Sequence, residues 1–331
     1  MKKINSQDVG TFSVTEKREL GTELRKVVSA AISSLMDIRE EVVALDADLG
    51  GASSWTSIAN RHPAQFINVG ISEANMVGVA AGLSANGFVP FIHTFGPFAT
   101  RRVLDQLYLS GAYSKNTINI WGSDPGFTAG FNGGTHTTWE DVAMLRSIPD
   151  VVICDAADAV QMEWIIQEFA KLSGIHYVRG NRKGIHDIYA AGSKFELGKG
   201  NVLRKGENLL LIAAGQLVYE ALEIAELLEK VGITATVIDM FTIKPLDQQI
   251  ILDNLAAVSA IVTIENHSIY GGLGSAVAEV LAENAVGKPL KRIGVDNRFG
   301  QVGTPAFLQQ EFGLTTQIME NEILSFMEEI K

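Results

Sequence analysis

The sequence predicts an α/β protein of two consecutive domains with mainly parallel sheets. Short apolar runs alternate with longer stretches of helical periodicity along the whole chain, the pattern of β-α-β units. The length, 331 residues, suggests about two domains of ordinary size. A polar, glycine-rich stretch at 180–200 separates one set of alternating elements from the next. The division falls within it, giving domains of 1–190 and 191–331.

The first set places strands at 42–45, 66–69, 89–93, 117–121, 151–153 and 176–179. Helices are expected near 22–36, 74–85, 99–109, 139–146 and 159–170. The second set places strands at 209–213, 234–238, 260–264 and 292–295, with helices near 219–230, 246–255 and 274–284. Short apolar strands alternating with helices argue for parallel sheets. The sequence contains no low-complexity segment and no short repeat.

Composition narrows the function. The chain is 47% hydrophobic, ample for a large core, and its net charge of -11 argues against nucleic acid as a partner. The one cysteine, Cys154, lies in the apolar run Val151-Val-Ile-Cys-Asp155, so a disulfide framework is excluded and a core thiol in a reducing compartment is expected. The first ten residues, MKKINSQDVG, lack the apolar segment of a signal peptide. No uncharged apolar run is long enough to cross a bilayer. A cytoplasmic protein with no membrane partner is expected.

One carboxylate stands out. The run NVGISEANMVGVAAGLS at 68–84 carries Glu73 at its helical start, and from Ala74 to Leu83 nothing is charged. Small residues (Gly78, Ala80, Ala81, Gly82) permit close packing all round, so the helix is expected to be buried on most faces. A carboxyl buried without a cation keeps its proton and can donate a hydrogen bond. A first-turn glutamate favoured by the helix dipole is the plainer reading. Beyond the helix, the segment at 90–106 reads as a buried strand, an aromatic turn with Phe95 and Phe98, and a new helix.

The combination of that run with TF-x-x-FA-x-RR-x-x-DQ at 94–106 resembles the pyrimidine-binding domain of transketolases, thiamine-diphosphate enzymes that move two-carbon ketol units between sugars. The segment IENHSIYGGLGSAV at 264–277 is similar to the opening of a helix in their C-terminal domain. Gly271, Gly272 and Gly274 could be read as a nucleotide loop, but no dinucleotide fingerprint surrounds them and close helix packing fits better. The resemblance covers nearly all of residues 15–315. It implies that Glu73 bonds the aminopyrimidine of thiamine diphosphate and that Phe95 and Phe98 pack around that ring. It also implies Asp48 beside the cofactor and Arg101 as a neighbour of its site.

The loop at 122–149 is similar to the family's substrate loop. The resemblance makes His136 a catalytic residue near the substrate carbonyl and hydroxyls, suited to moving protons. Asn132 stands where an aspartate recognises a sugar hydroxyl, and asparagine can still bond one. Arg179 and Arg25 match phosphate-binding arginines, whose forks suit phosphate, sulfonate or carboxylate. Asp124 falls where a histidine lies near the substrate phosphate, and an aspartate there opposes an anion. Each also has a structural reading: core aromatics for Phe95 and Phe98, a helix-start contact for His136, surface arginines, and a strand-end turn for Asp48.

The family's Gly-Asp-Gly segment, which with a later asparagine holds Mg²⁺ and the diphosphate, is absent. The resemblance therefore points to the C-terminal subunit of a split transketolase, with no metal ligands of its own. Thiamine diphosphate is expected to be shared with an N-terminal partner subunit that carries the diphosphate and Mg²⁺ site. Self-association into a dimer or heterotetramer, and a sugar phosphate or other anionic sugar as substrate, follow from the same likeness. The β subunit of a 2-oxo-acid dehydrogenase, a deoxyxylulose-phosphate-synthase-like half-enzyme and a non-enzymatic subunit are the alternatives. The dehydrogenase usually has a histidine–serine–glutamine segment where this chain has Gly134-Thr-His-Thr-Thr-Trp-Glu140.

Overall fold

The computed structural model describes residues 11–15 and 17–330, so the N-terminal stretch read as lacking a signal peptide lies outside the described residues. The strands are β1 (Val42–Asp46), β2 (Phe66–Asn68), β3 (Val89–Phe95), β4 (Ile118–Ser123), β5 (Val152–Asp155), β6 (Ile175–Gly180), β7 (Asn201–Arg204), β8 (Leu209–Ala213), β9 (Ala235–Asp239), β10 (Thr242–Lys244), β11 (Ala260–Ser268) and β12 (Leu290–Val295). They form a seven-stranded sheet, β10-β5-β6-β4-β3-β1-β2, and a five-stranded one, β12-β11-β8-β9-β7. Every pairing is parallel except β10 with β5 and β7 with β9. The two-domain, mainly parallel α/β architecture is as the sequence predicts.

The strands read as they do because helices cover both sheet faces. In β8 all five residues, LLLIA, are buried, and each fully buried Leu or Ile is worth about 1.5–3 kcal/mol over an exposed one. Cys154 is a free, buried thiol in β5. No helix among the described residues is long and apolar enough to cross a membrane.

Several elements differ from expectation. Strands β7 and β10, the short helices Gly50–Ser53 and Thr56–Arg61, the 3₁₀ segment Gly126–Asn132 and the helices Pro305–Glu311 and Thr316–Glu329 are not foreseen. β10 belongs to the second half of the chain yet completes the first sheet, with Thr242 opposite Cys154. The halves also share aromatic core: Trp164 meets Phe195 at 5.5 Å and Phe241 at 6.1 Å. The single helix expected at 99–109 is instead a broken series: Gly96–Ala99, a 3₁₀ turn Arg101–Val103, Leu104–Gln106 and a π-helix Leu107–Tyr113.

Register decides where chemistry can gather. Asp46 pairs with His93, Phe95 with Ser123, and Ser123 with Gly180. The carboxyl ends of β1, β3, β4 and β6 therefore lie side by side, the edge at which open parallel sheets bind ligands. The segments leaving that edge carry Asp48, Phe98, Asp124, His136 and Arg182, and Glu73 opens the helix after β2.

Candidate active site

Glu73 is the first residue of the Glu73–Ala85 helix and is 4% exposed. Arg102 Nη1 donates to Glu73 Oε1 at 2.7 Å, and the same guanidinium lies 3.8 Å over the Phe98 ring. The pair is formed in the first turn of the helix, at the positive end of its dipole. Two expectations are corrected here. Glu73 is not without a cation, and its helix is not buried on most faces: Ala74, Asn75, Gly78, Gly82 and Ala85 are exposed. A Cβ added at Gly78 or Gly82 would meet nothing within 4 Å.

Arg101, expected as a neighbour of the cofactor site, is not the arginine that meets Glu73. It pairs with Glu140, and Arg102 takes the position beside Glu73. The 3₁₀ turn explains this, since about 120° separates successive residues and adjacent arginines diverge.

The aromatic residues converge. Phe95 and Phe98 are 6.3 Å apart edge to face, and His136 lies 5.6 Å from Phe95 and 5.0 Å from Phe98. His136 Nδ1 is 2.9 Å from Thr135 Oγ1. Partial burial, then the Arg102 charge, hold the His136 imidazole below its ordinary pKa, so it is neutral at pH 7.

Asp124 sits at φ 53° and is 3% exposed. It accepts from Arg182 N at 3.0 Å and from Arg182 Nε. Burial pushes its carboxyl up, and Arg182 opposes that. The expectation that Asp124 confronts a substrate anion is thereby corrected, because its charge is buried and paired. Arg182 in turn lies 4.8 Å over Phe95.

Arg179 is corrected most fully. It is 1% exposed and spent on protein groups: Nε to Asp141 Oδ2 at 2.8 Å, Nη1 to Asp155 Oδ2 at 3.0 Å and Nη2 to Asn266 O at 3.1 Å. An arginine so enclosed is a structural ion-pair centre, not an anion receptor. Arg25 is likewise engaged, with Glu23 at 3.0 Å and Ala52 O at 3.3 Å. Asp48 is exposed and exchanges hydrogen bonds with Asn68. Asn132 is exposed at the end of the 3₁₀ segment Gly126–Asn132.

Sequence reasoning missed Arg102, Arg182 and a buried chain beneath them. His93 bridges Asp46 Oδ1 at 3.3 Å and Ser123 Oγ at 3.1 Å, and its ring lies 4.4 Å from that of Trp121, tilted by 33°. Burial lowers its pKa against the pull of Asp46. The available signal was a lone histidine inside the apolar run of β3.

The second domain grips the His136 loop. Asn266 Oδ1 accepts from Phe127 N at 3.2 Å and its Nδ2 donates to Pro125 O at 3.1 Å. Gly126 between them has φ 60°, and a Cβ there would meet Asn266 Oδ1 at 2.0 Å. Ser268 N donates to Trp139 O at 2.8 Å, closing the loop's far end.

Residues 21–185 match the transketolase pyrimidine-binding domain and residues 198–319 the transketolase C-terminal domain. The chain therefore belongs to the transketolase family. It is 44% identical over 278 residues to a 6-deoxy-6-sulfo-D-fructose transketolase subunit of Clostridium sp. (strain MSTE9), spanning 84% of this chain and 86% of that one. It is 34% identical over 304 residues to an apulose-4-phosphate transketolase subunit of Phocaeicola vulgatus, spanning 92% and 97%. A solved split-gene transketolase, described as an inactive β4 tetramer, superposes with a TM-score of 0.85 at 36% identity over 92% of this chain and 98% of that one.

Proposed function

We propose that this chain is the C-terminal subunit of a two-subunit transketolase (EC 2.2.1.-). It would pass a two-carbon ketol unit from an anionic ketose to an aldose phosphate. The observation that carries the reading is the buried Glu73 carboxylate beside the Phe95–Phe98–His136 aromatic cluster. The pyrimidine end of thiamine diphosphate fits those residues: among the described residues Glu73 Oε2 makes no hydrogen bond, and two phenylalanines offer apolar walls. When bound, the cofactor supplies the electron sink for cleaving the bond beside the ketose carbonyl. Glu73 holds or gives up a proton at a ring nitrogen, and Phe95 and Phe98 keep water away. Neutral His136 accepts and returns a substrate hydroxyl proton, and Asn132 offers an amide to another hydroxyl. Asp48 and Arg101 remain at the margin of that site.

The diphosphate and Mg²⁺ ligands are assigned to a second polypeptide. Support comes from the missing Gly-Asp-Gly and from relatives of similar length whose names call them subunits. The bare face of the Glu73 helix, with Ile71 at 77% exposure just before it in sequence and Tyr113 at 78% ending the Leu107–Tyr113 π-helix, is the surface assigned to assembly. A solved relative described as a β4 tetramer favours self-association, and a heterotetramer follows once the partner is present. The domain division remains 1–190 and 191–331, and the reduced buried thiol favours the cytoplasm. The relatives' names favour this reading over a 2-oxo-acid dehydrogenase β subunit.

The test is to co-purify the chain with a partner bearing Gly-Asp-Gly and assay a panel of ketoses. Ketol transfer by the pair supports the reading. Oxidative decarboxylation of 2-oxo acids by the pair, without ketol transfer, overturns it.

A further inference from the structure

We propose that His267 is a positioning residue for the His136 loop, and that it acts through a proton held between its Nε2 and Asp141 Oδ1 where the two domains meet. The geometry stands on this chain alone, and the effect on turnover rests on the transketolase reading above.

His267 Nδ1 is 2.7 Å from Ser268 O. A carbonyl only accepts, so Nδ1 carries a hydrogen. In a neutral imidazole Nε2 is then a bare acceptor. It faces another acceptor, Asp141 Oδ1, at 3.7 Å. Both residues are 0% exposed, and among the described residues neither atom has a hydrogen-bond partner. Two buried acceptors left unpaired are costly. One proton between them satisfies both after a movement of about 1 Å, and the gap is too narrow for a water.

The charged groups around the ring favour that proton. From β11, Glu265 Oε2 lies 3.7 Å from His267 Nδ1, with its carboxylate accepting from Leu273 N and Gly274 N. The Asp141–Arg146 helix supplies Asp141 and Arg146, the latter turned to Gly271 O and Glu279. From β6, Tyr177 and Arg179 both donate to Asp141 Oδ2, and from β5 Asp155 pairs with Arg179. From β12, Arg292 is held by Ile269 O. Asp141, Asp155 and Glu265 gather around the enclosed Arg179, and an added proton offsets part of their charge. Burial drives a lone imidazole down, and the Asp141 charge draws it up. A proton held by ring and carboxylate together leaves the pair with no net charge.

His267 stands between the two residues that grip the loop. Asn266 holds Pro125 O and Phe127 N, and Ser268 N holds Trp139 O. Asp141 opens the helix that follows the loop. The shared proton therefore pins the loop's exit, and with it the place of His136 against Phe95 and Phe98.

The first test reads the proton in the full chain labelled with nitrogen-15 at histidine, with His267→Gln assigning the signal. At about pH 7.5, above the ordinary histidine pKa, His267 Nε2 should lack the resonance of a free lone pair. That resonance, if present, overturns the proposal. The second test follows melting temperature against pH. An unfolded histidine has shed its proton above about pH 6.5, so the folded pair holds one that the unfolded chain lacks. Its stabilisation is full below that pH and fades as pH rises through the value of the folded pair. Between about pH 7 and about pH 9 wild type should lose about 2 °C or more relative to Asp141→Asn, whose amide donates to Nε2 without a shared proton. His267→Gln, whose amide donates to Asp141, should flatten the profile likewise and serves if Asp141→Asn does not fold. A wild-type slope kept by the folded variants overturns the proposal. In the assembled enzyme, kcat of wild type should fall over the same range as amide exchange at 126–141 quickens, and His267→Gln should lose that dependence. An unchanged kcat profile in the variant overturns the positioning role. Absence of turnover by wild type would instead fall on the transketolase reading, and the other two measurements decide.

Discussion

Arg102 donates to Glu73 at 2.7 Å while its guanidinium lies 3.8 Å over the ring of Phe98. One cation thus fixes the buried carboxylate and covers the aromatic face beside it. The stacking orients the fork and lowers the entropy lost in pairing.

Replacing Glu73 with Gln in the assembled enzyme should lower kcat about 10²- to 10⁴-fold, since an amide cannot exchange the proton. The helix start should survive, because Gln keeps the shape. Steady-state rates with thermal melting of the variant check this. Near-normal turnover would leave Glu73 as a helix-start residue.

Replacing Arg102 with Met should destabilise the chain by about 1 kcal/mol. The 3–5 kcal/mol typical of breaking a fully buried pair is not expected, because the Arg102 side chain is 44% exposed. The double variant with Glu73→Gln should lose less than the sum of the two, as the uncompensated charge is gone. Denaturant titrations of the four chains measure the coupling, and strict additivity would dissociate the pair energetically.

The alternation of strands and helices and the mainly parallel two-domain architecture were legible because strand and helix patterns are local, while the place of Glu73, Phe95 and Phe98 in one site came from the family likeness alone. What was missed depends on convergence. Arg179 looks like a surface arginine until Asp141 and Asp155 fold onto it. The choice of Arg102 over Arg101 hangs on a 3₁₀ turn that interrupts an apparently continuous helix. β10 is three residues long and gains strand geometry only from β5 in the other half of the chain. Arg182 lay in the stretch read as a connection, and only the fold brings it to Asp124.

Stability should depend on pH through Asp239. Burial raises its carboxyl to about 7, against hydrogen bonds to its Oδ2 from Tyr189 and Gln161. An unfolded aspartate titrates near 3.9. The folded state therefore favours the proton, and this stabilisation is full below about pH 4 and fades as pH rises through about 7. Asp239→Asn should flatten that part of the melting-temperature profile relative to wild type. An unchanged slope would show that Asp239 is ionised when folded.

Asn266→Ala should free the loop that carries His136 by removing its grips on Pro125 O and Phe127 N. Amide exchange at 126–137 should quicken while that of β8 stays unchanged, and kcat of the assembled enzyme should fall more than KM changes. Unaltered exchange in the loop would mean that Ser268 and the surrounding packing suffice to hold it.

The shared cofactor site is tested most directly by calorimetric titration of thiamine diphosphate with Mg²⁺ into the chain, into its partner, and into the mixture. Tight binding should emerge only in the mixture, with one cofactor per pair of chains, and weaken on Glu73→Ala. Equally tight binding by this chain alone, or binding by the mixture that ignores Glu73→Ala, would contradict a site completed between two polypeptides.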